Sequence, residues 1–392
     1  MINRRKAKSL LISNIYFPPD VGGISHFMGA VASTLGQDRV CCLTSVAGER
    51  HLASDQNSPR VYRRPAVFSH SWTVQGAALC TSMVELILRE RPQIIQLATT
   101  GEGYLGLFLQ RWFQLPFVLY AHGNEILGAM KEKWRKPRLA LQQADRVLAN
   151  SHYTAELVEQ LDVAPDRIEI VHPGCEIDRF QPLAPRSDLR QKLLGAKQDH
   201  RIILTVGGLV TRKGHDMVIR ALPHVRRKIP DVVYLIIGDG PCRIALESLA
   251  SEVGVREHVV FAGQVSDTEL PDMYALSDIF VMPSRDRSEV CDIEGFGLVF
   301  LEASACGKPV IGGRSGGIPD AIIEGETGLL VNPSEPEDIA GALVHLLSDS
   351  QFARQLGQQG HNRVVREFSW AHVGKQIETI LDTVVQEKSV PA

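Results

Sequence analysis

The stretch Glu294-Gly-Phe-Gly-Leu-Val-Phe-Leu-Glu302 carries two carboxylates eight residues apart, with two glycines between them. Eight residues of helix rise about 12 Å, which is roughly the span of a diphosphate with a hydroxyl-bearing group at each end. Gly295 and Gly297 allow the backbone to approach a ligand closely. The N–H groups of Leu298 and Val299 then open a predicted helix whose positive end suits phosphate oxygens. The alternative is an ordinary helix with an exposed glutamate near each end.

On either side of this stretch, short β-branched or Leu-rich runs alternate with amphipathic segments of helix length, which predicts parallel sheets built from βαβ units. The predicted strands of the first half are Ser9–Ile15, Val40–Thr44, Ile94–Gln96, Phe117–Ala121, Arg146–Ala149 and Ile168–Val171. Those of the second half are Ile202–Val206, Val232–Gly238, Val259–Ala262, Ile279–Pro283, Pro309–Gly312 and Gly328–Val331.

A length of 392 residues suits two such domains. We predict an α/β protein with a first Rossmann-like domain over residues 1–180 and a second over residues 201–369. The polar segment 181–200, where Pro182 and Pro185 interrupt any periodicity, is the predicted linker. A final helix is predicted within residues 370–392.

The first strand of the second half leads into Thr205-Val-Gly-Gly-Leu-Val-Thr-Arg-Lys-Gly214. Arg212 and Lys213 are placed to neutralise a diphosphate, the arginine as a fork and the lysine as a point charge. Gly207 and Gly208 beside them allow close backbone approach. A solvated basic turn is the alternative.

Three further turns follow predicted strands, where open α/β sheets place their ligands. Gly22-Gly23 enters a helix and can approach a phosphate or a hydroxyl group, although ordinary turn chemistry also explains it. His122, followed by Gly123, can hydrogen-bond a sugar hydroxyl. Gly238, in Gly-Asp-Gly-Pro, is predicted to line a base or ribose pocket.

The composition excludes several classes of protein. A net charge of −3 does not favour nucleic acid, and no apolar run is long enough to span a membrane. The seven cysteines have no zinc or disulfide spacing, as expected for reduced thiols in the cytoplasm. Lys131-Glu-Lys-Trp-Arg-Lys-Pro-Arg138 surrounds a tryptophan with basic residues, which suits either a solvated loop or an anionic membrane surface.

Together these motifs resemble the retaining GT-B glycosyltransferases of family 4, group 1, across essentially the whole chain. The resemblance rests on the Phe17-Pro-Pro-Asp-Val-Gly-Gly23 entry, on His122-Gly123, on Arg212-Lys213-Gly214, on Glu294 to Glu302, and on Pro173-Gly174 followed by Phe180. Within that family the chain looks closest to the phosphatidylinositol mannosyltransferase-like enzymes, which favours GDP-mannose over a UDP-sugar as the donor.

The resemblance implies two Rossmann-like domains facing a cleft, with the donor on the second domain, the acceptor on the first, and the final helix crossing back to the first. Hexose transfer would proceed with retention and without an obligatory metal or cofactor. Arg212 and Lys213 would bind the diphosphate, Glu302 the ribose, and Glu294 the transferred sugar. His122 would meet the sugar from the other domain.

The sequence departs from the family at two points and leaves several functions open. Gly208 stands where many relatives carry an arginine that also contacts the diphosphate, and the stretch Arg285–Asp292 is longer than in many relatives. The expected acceptor is a glycan or a lipid-linked group, at the cytoplasmic face of a membrane with peripheral contact. The alternatives are a small soluble acceptor, an epimerase or a phosphorylase of the same fold, and an inactive subunit that binds nucleotide sugar.

Overall fold

Two parallel β-sheets form the centres of two separate units of the chain. A computed structural model describes residues 7–13, 16–20, 22–45, 59–64, 72–130 and 135–389. The first unit comprises Met1–Pro173 together with Trp370–Ala392, and the second comprises Gly174–Ser369. Each unit alternates strands with helices, so the predicted α/β class is confirmed.

The strands and helices are numbered here in chain order. The strands are β1 (Ser9–Ser13), β2 (Val40–Ser45), β3 (Arg60–Arg64), β4 (Ile94–Leu97), β5 (Phe117–Ala121), β6 (Arg146–Ala149), β7 (Ile168–Ile170), β8 (Arg201–Val206), β9 (Val232–Ile237), β10 (Val259–Gly263), β11 (Ile279–Met282), β12 (Val310–Gly313) and β13 (Gly328–Val331). The helices are α1 (Gly23–Leu35), α2 (Trp72–Glu90), α3 (Gly103–Phe113), α4 (Asn124–Met130), α5 (Arg135–Gln143), α6 (His152–Glu159), α7 (Ser187–Leu194), α8 (His215–Arg226), α9 (Arg243–Glu252), α10 (Leu270–Leu276), α11 (Leu298–Ala305), α12 (Ile318–Ala321), α13 (Pro336–Ser348), α14 (Ser350–Glu367) and α15 (Trp370–Ser389).

In both sheets the order in which successive strands are added reverses near the middle of the sheet. The first sheet has the order β3-β2-β1-β4-β5-β6-β7 and the second the order β10-β9-β8-β11-β12-β13, with every pair parallel. Central strands such as β4 and β9 are buried along their whole length, as a sheet covered by helices on both faces requires. The order reverses between β1 and β4 in one unit and between β8 and β11 in the other. Open sheets bind ligands at the carboxyl ends of such neighbouring strands.

The predicted strands all occur, and their described ends differ from the predicted ones by no more than a residue or two. Asn14 and Ile15, at the predicted end of the first strand, lie outside the described residues. Strand β3 was not predicted. Its sequence, Arg-Val-Tyr-Arg-Arg, is rich in basic residues because the strand lies at the edge of the sheet, and it therefore lacks the apolar run of a buried strand. The predicted linker 181–200 contains α7, whose Leu189 and Leu194 are buried in the core of the second unit. In the structure, the boundary between the two units lies at Pro173 and Gly174.

The last helix packs on the first unit, as the family resemblance implied. In α15, Ile377 and Leu381 are buried in one core with residues of α1 and β1. Arg39 pairs with Glu378 at 3.1 Å and with Asp382 at 2.5 Å. These contacts fix the end of the chain to the unit in which the chain begins.

No helix in the described part of the chain combines the length and the apolar character needed to cross a bilayer.

Candidate active site

The turn after β8 is built so that its basic residues reach the end of β11. Thr211–Lys213 forms a single 3₁₀ turn, and Gly214 closes it with φ 75° before α8 begins. A Cβ atom at Gly214 would lie 2.2 Å from the carbonyl oxygen of Pro283, so only glycine allows this close approach. The turn therefore sits at the switch point between β8 and β11.

The side chains of Arg212 and Lys213 both bind Glu294, which lies on a neighbouring loop of the second sheet. Lys213 Nζ donates to Glu294 Oε2 at 2.6 Å, and Arg212 Nη1 donates to the same oxygen. All three side chains are less than a fifth exposed. The structure thus brings together three of the four predicted catalytic residues.

Burial and charge act on Glu294 in opposite directions. Its burial disfavours the carboxylate, but the positive charges of Lys213 and Arg212 and their hydrogen bonds outweigh that effect and lower its pKa. Glu294 is consequently ionised at neutral pH and is a weak proton acceptor. Its chemistry is that of a fixed negative charge that orients two cations.

Asp292 is a member of this cluster that the sequence analysis missed. Arg212 Nε donates to Asp292 Oδ1 at 2.7 Å. A short antiparallel bridge between Arg287 and Asp292 closes the long stretch noted in the sequence, and it places the carboxylate there. Arg285 donates to both oxygens of Asp216, at 2.7 and 3.1 Å, which ties the same stretch to α8.

The backbone of Glu294 is held by a second turn that the sequence analysis did not single out. Gly317 N donates to the Glu294 carbonyl at 2.9 Å. A Cβ atom at Gly316, where φ is 52°, would lie 2.4 Å from that carbonyl. The sequence contains a glycine pair here, Ser315-Gly-Gly317, shortly after β12. Glycines at the same position after β8 and β9 identified the other two turns.

Helix α11 begins at Leu298, preceded by Gly297 in the left-handed region with φ 96°. Leu298 and Val299 are half-buried and supply the first two N–H groups of the helix. This predicted phosphate-binding turn follows Glu294 by four residues. The helix has eight residues, so its dipole adds positive potential at that end.

Glu302 lies on α11, one turn after its first residue, Leu298. Tyr274, on α10, donates its hydroxyl to Glu302 Oε2 at 2.7 Å. Burial raises the pKa of Glu302, and the hydrogen bond from Tyr274 offsets part of that rise. Its environment therefore differs from that of Glu294, which carries two direct cationic partners.

The remaining predicted glycines of the second unit lie at adjacent strand ends. A Cβ atom at Gly238 would lie 2.1 Å from the carbonyl oxygen of Gly207, so the turns after β8 and β9 touch. Buried His215, a residue that the sequence analysis did not single out, lies beneath them. Its Nε2 donates to the Gly208 carbonyl at 3.2 Å, and its Nδ1 lies 3.1 Å from the Tyr234 hydroxyl.

His122 lies in the first unit, at the carboxyl end of β5. Its Nε2 donates to the carbonyl of Ala98, at the end of β4, over 2.9 Å. The other ring nitrogen, Nδ1, takes no part in this hydrogen bond. The ring of Phe27 packs edge-to-face against it, with centroids 5.7 Å apart.

The other first-unit predictions have mixed outcomes. Gly22, with φ 154°, is the N-cap of α1, and Gly23 is the first residue of that helix. Both lie beyond the carboxyl end of β1. Of the basic segment 131–138, residues 131–134 lie outside the described residues, and the later ones begin α5.

The fold is that of the GT-B glycosyltransferases. It consists of two Rossmann-like units, with a terminal helix that returns to the first unit and a basic turn at the switch point of the second sheet. The crystal structure of Anabaena HepE in complex with UDP has this fold. This chain and HepE superpose with a TM-score of 0.81 and are 20% identical, over 96% of this chain and all of HepE.

Sequence comparison then places the chain more narrowly. The family described as Glycosyl transferases group 1 matches residues 187–363, and Glycosyltransferase Family 4 matches residues 21–179. A GDP-mannose-dependent alpha-(1-6)-phosphatidylinositol monomannoside mannosyltransferase of Mycolicibacterium smegmatis is 32% identical, covering 95% of this chain and 97% of the relative. A D-inositol 3-phosphate glycosyltransferase of Corynebacterium glutamicum is 31% identical, covering 81% and 78%.

The chain therefore belongs to the family 4, group 1 glycosyltransferases and is a hexosyltransferase. The family and the enzyme class predicted from the sequence are confirmed.

Proposed function

We propose that the chain transfers a mannosyl group from GDP-mannose to a lipid-linked acceptor, with the donor bound by the second unit. The cluster of Arg212, Lys213 and Glu294 at the β8–β11 switch point carries this proposal, because it concentrates cationic donors where open sheets bind phosphates. The choice of GDP-mannose is supported by the M. smegmatis relative, which matches over nearly its whole length.

The donor would lie along the start of α11. Its diphosphate would take hydrogen bonds from Arg212, Lys213 and the N–H groups of Leu298 and Val299. Glu302, farther along the same helix, would accept from the ribose hydroxyls, and the turns at Gly208 and Gly238 would line the nucleoside. No arginine stands at Gly208, so Arg212 and Lys213 supply the cationic contacts of that turn.

In the proposed reaction an acceptor oxygen bonds to the anomeric carbon while the bond from that carbon to the diphosphate oxygen breaks. The proton of the acceptor hydroxyl passes to an oxygen of the departing diphosphate. Arg212, Lys213 and the α11 N-terminus stabilise the charge that develops on that group, which is the largest catalytic contribution in such a site. In this proposal these groups take the place of a metal ion at the diphosphate.

Glu294 would position the sugar instead of attacking it. One of its oxygens already receives hydrogen bonds from two cations, and its pKa is lowered. A carboxylate held in this way is a poor nucleophile and a poor base, so retention would follow from attack on the face from which the diphosphate leaves. His122 and the Gly22-Gly23 turn would serve the sugar and the acceptor from the first unit.

A small soluble acceptor is the second candidate. The C. glutamicum relative is named for D-inositol 3-phosphate, which carries no lipid. The M. smegmatis relative covers more of this chain, and for that reason we favour the lipid-linked acceptor. Either acceptor fits a cytoplasmic enzyme, and the lipid-linked one adds peripheral contact with the inner face of the membrane.

A transfer assay tests the proposal. Purified protein would be incubated with GDP-mannose or UDP-glucose, in EDTA, with phosphatidylinositol monomannoside in detergent or with inositol 3-phosphate. We expect GDP release and a mannosylated lipid, with the anomeric configuration of the donor kept in the product. Mannosylated inositol 3-phosphate would support the second candidate. Nucleotide binding without hydrolysis or transfer, under any pairing, would contradict the enzymatic proposal.

A further inference from the structure

A polar cavity lies at the carboxyl ends of four neighbouring strands of the second sheet, on the loops that follow β8, β11, β12 and β13. Its volume is about 370 Å³. The described residues that line it include three arginines, Arg285, Arg287 and Arg314, and one acidic residue, Asp286. We call this space the arginine cavity.

Two of the three arginines can turn to a ligand at little cost. Arg287 lies 3.7 Å from Asp292 and 3.8 Å from Glu289, and both distances are too long for a hydrogen bond. Arg314 pairs with Glu324 at 3.0 Å, but its side chain is 60% exposed, and ion pairs in such positions contribute little to stability. An anion in the arginine cavity can therefore replace these contacts.

The third arginine, Arg285, forms a fixed wall of the cavity. Besides its two bonds to Asp216, its Nη2 donates to the Thr211 carbonyl at 2.6 Å, and its backbone N donates to the Arg212 carbonyl at 2.8 Å. Its Nε is buried and has no hydrogen-bond partner within the described residues. Because Asp216 balances its charge, Arg285 contributes rigidity and an unused donor, and the net positive charge of the cavity comes from the other two arginines.

The lining of the cavity selects a phosphate-bearing ligand. The planar fork of an arginine matches the oxygens of a phosphate group, and the hydroxyl-bearing residues Thr211 and Ser334 line the same space. A volume of about 370 Å³ also leaves room beside a phosphate group, since a water molecule occupies only about 30 Å³. We propose that the arginine cavity is a second anion site of this unit, which takes the phosphate group of a small phosphomonoester.

This site is separate from the diphosphate site proposed above. Arg212, Lys213 and Glu294 do not line the cavity, and their side chains are bound to one another. The two sites are neighbours through the backbone, because Thr211 begins the basic turn and Ser315 precedes the glycine pair that holds the Glu294 carbonyl. A phosphate bound between these turns would hold both of them and would stabilise the folded unit.

Thermal unfolding with three small ligands tests whether the site exists. The wild type would be heated with sodium phosphate, glycerol 3-phosphate or glycerol, each compared with sodium chloride of matched ionic strength. A ligand that binds the folded state raises the Tm, so we expect a rise with glycerol 3-phosphate and none with glycerol. An equal rise with sodium phosphate would show that the phosphate group alone is recognised, and a smaller one that the ester adds contacts. No rise with either phosphate, or an equal rise with glycerol, would overturn the inference.

Four variants then locate the bound phosphate, with the affinity for glycerol 3-phosphate measured by calorimetry. Arg287→Gln and Arg314→Gln should each weaken binding by about tenfold, because a charge-assisted hydrogen bond is lost. Arg354→Gln removes an exposed arginine of α14 and is the matched control, which should bind as the wild type does. Lys213→Ala should also keep the wild-type affinity. A loss in Lys213→Ala without a loss in Arg314→Gln would place the ligand in the diphosphate site and contradict the proposal.

Discussion

The carboxyl ends of the two sheets differ in the charged groups that they carry, although both units are built from the same strand–helix pattern. In the second unit, Arg212 and Lys213 face the switch point and are held there by Glu294. In the first unit, carboxylates occupy the comparable edge: Glu102 accepts from the Thr99 backbone and hydroxyl, and Glu125 accepts from His122 N.

The pKa of Tyr16 reflects the negative character of the first edge. Burial raises it, and the charges of Glu102 and Glu125 raise it further. Under the proposed function, an anionic diphosphate would find cationic hydrogen-bond donors in the second unit, and the carboxylates of the first unit would disfavour it. Such a difference in charged groups would help one architecture to direct the two substrates of a transferase to different units.

The largest expected effect follows from removing a cation at the second edge. Lys213→Ala should lower kcat/KM for the donor by about 10²–10³-fold, because a fixed charge that stabilises the leaving diphosphate is lost. The measurement is steady-state hydrolysis or transfer with GDP-mannose. Lys192→Ala, which removes an exposed lysine of α7 in the same unit, is the control and should retain activity. Equal losses in both variants would mean that the charge at Lys213 has no specific role.

A substitution at the first edge should separate chemistry from donor binding. We expect His122→Ala to reduce transfer by about a hundredfold through misplacement of the sugar. Its affinity for GDP, measured by calorimetry, should stay that of the wild type, since His122 lies in the first unit and the proposed diphosphate site, at Arg212 and Lys213, lies in the second. A matching loss of GDP affinity would contradict the assignment of the nucleotide to the second unit.

The turn at Gly208 should become less stable in acid because of His215. Burial lowers the pKa of His215 from 6.5 to about 4. Between pH 4 and pH 6.5 the unfolded chain therefore binds a proton at this residue and the folded chain does not. Stability is thus fully present above about pH 6.5 and falls by about 3 kcal/mol as the pH approaches 4. Urea unfolding of His215→Gln should show a smaller loss over this window than the wild type. Parallel pH curves would rule out His215 as the source.

The smallest effect is expected at Glu302. Glu302→Gln should weaken GDP binding by about tenfold, since a carboxylate that accepts from ribose hydroxyls becomes a neutral amide. Burial raises the pKa of Glu302. As the pH is lowered, the affinity of the wild type for GDP should therefore begin to fall at a higher pH than it would if this glutamate had its usual pKa. The variant should lack that pH dependence. A pH profile that is unchanged by the substitution would exclude Glu302 as the titrating group.

How far the sequence predicted this site depends on where each residue lies. Lys213 and His122 each follow an apolar strand closely, so the strand pattern alone places them at a sheet edge. Glu294 was identified from its own motif, Glu294 to Glu302, and not from the strand before it. Asp292 lies in an irregular stretch with no period, and its contact with Arg212 exists only once the Arg287–Asp292 bridge has formed.

The fold shows the same division between periodic and irregular segments. Buried strands such as β9 are continuous apolar runs and were predicted nearly to the residue. Strand β3 and helix α7 were not, because the first alternates with arginines at a sheet edge and the second follows Pro182 and Pro185. Their structure comes from tertiary packing, as the burial of Leu189 illustrates.

The central claim, that the β8–β11 edge of the second unit is a diphosphate site, has a direct test in thermal unfolding. The wild type and Lys213→Ala would be heated in EDTA with GDP, UDP, GDP-mannose or no ligand. A ligand that binds only the folded state raises the Tm by mass action. We predict that GDP and GDP-mannose raise the Tm of the wild type, and that the shift shrinks strongly in Lys213→Ala. Equal shifts in both proteins, or no shift with any nucleotide, would contradict the claim.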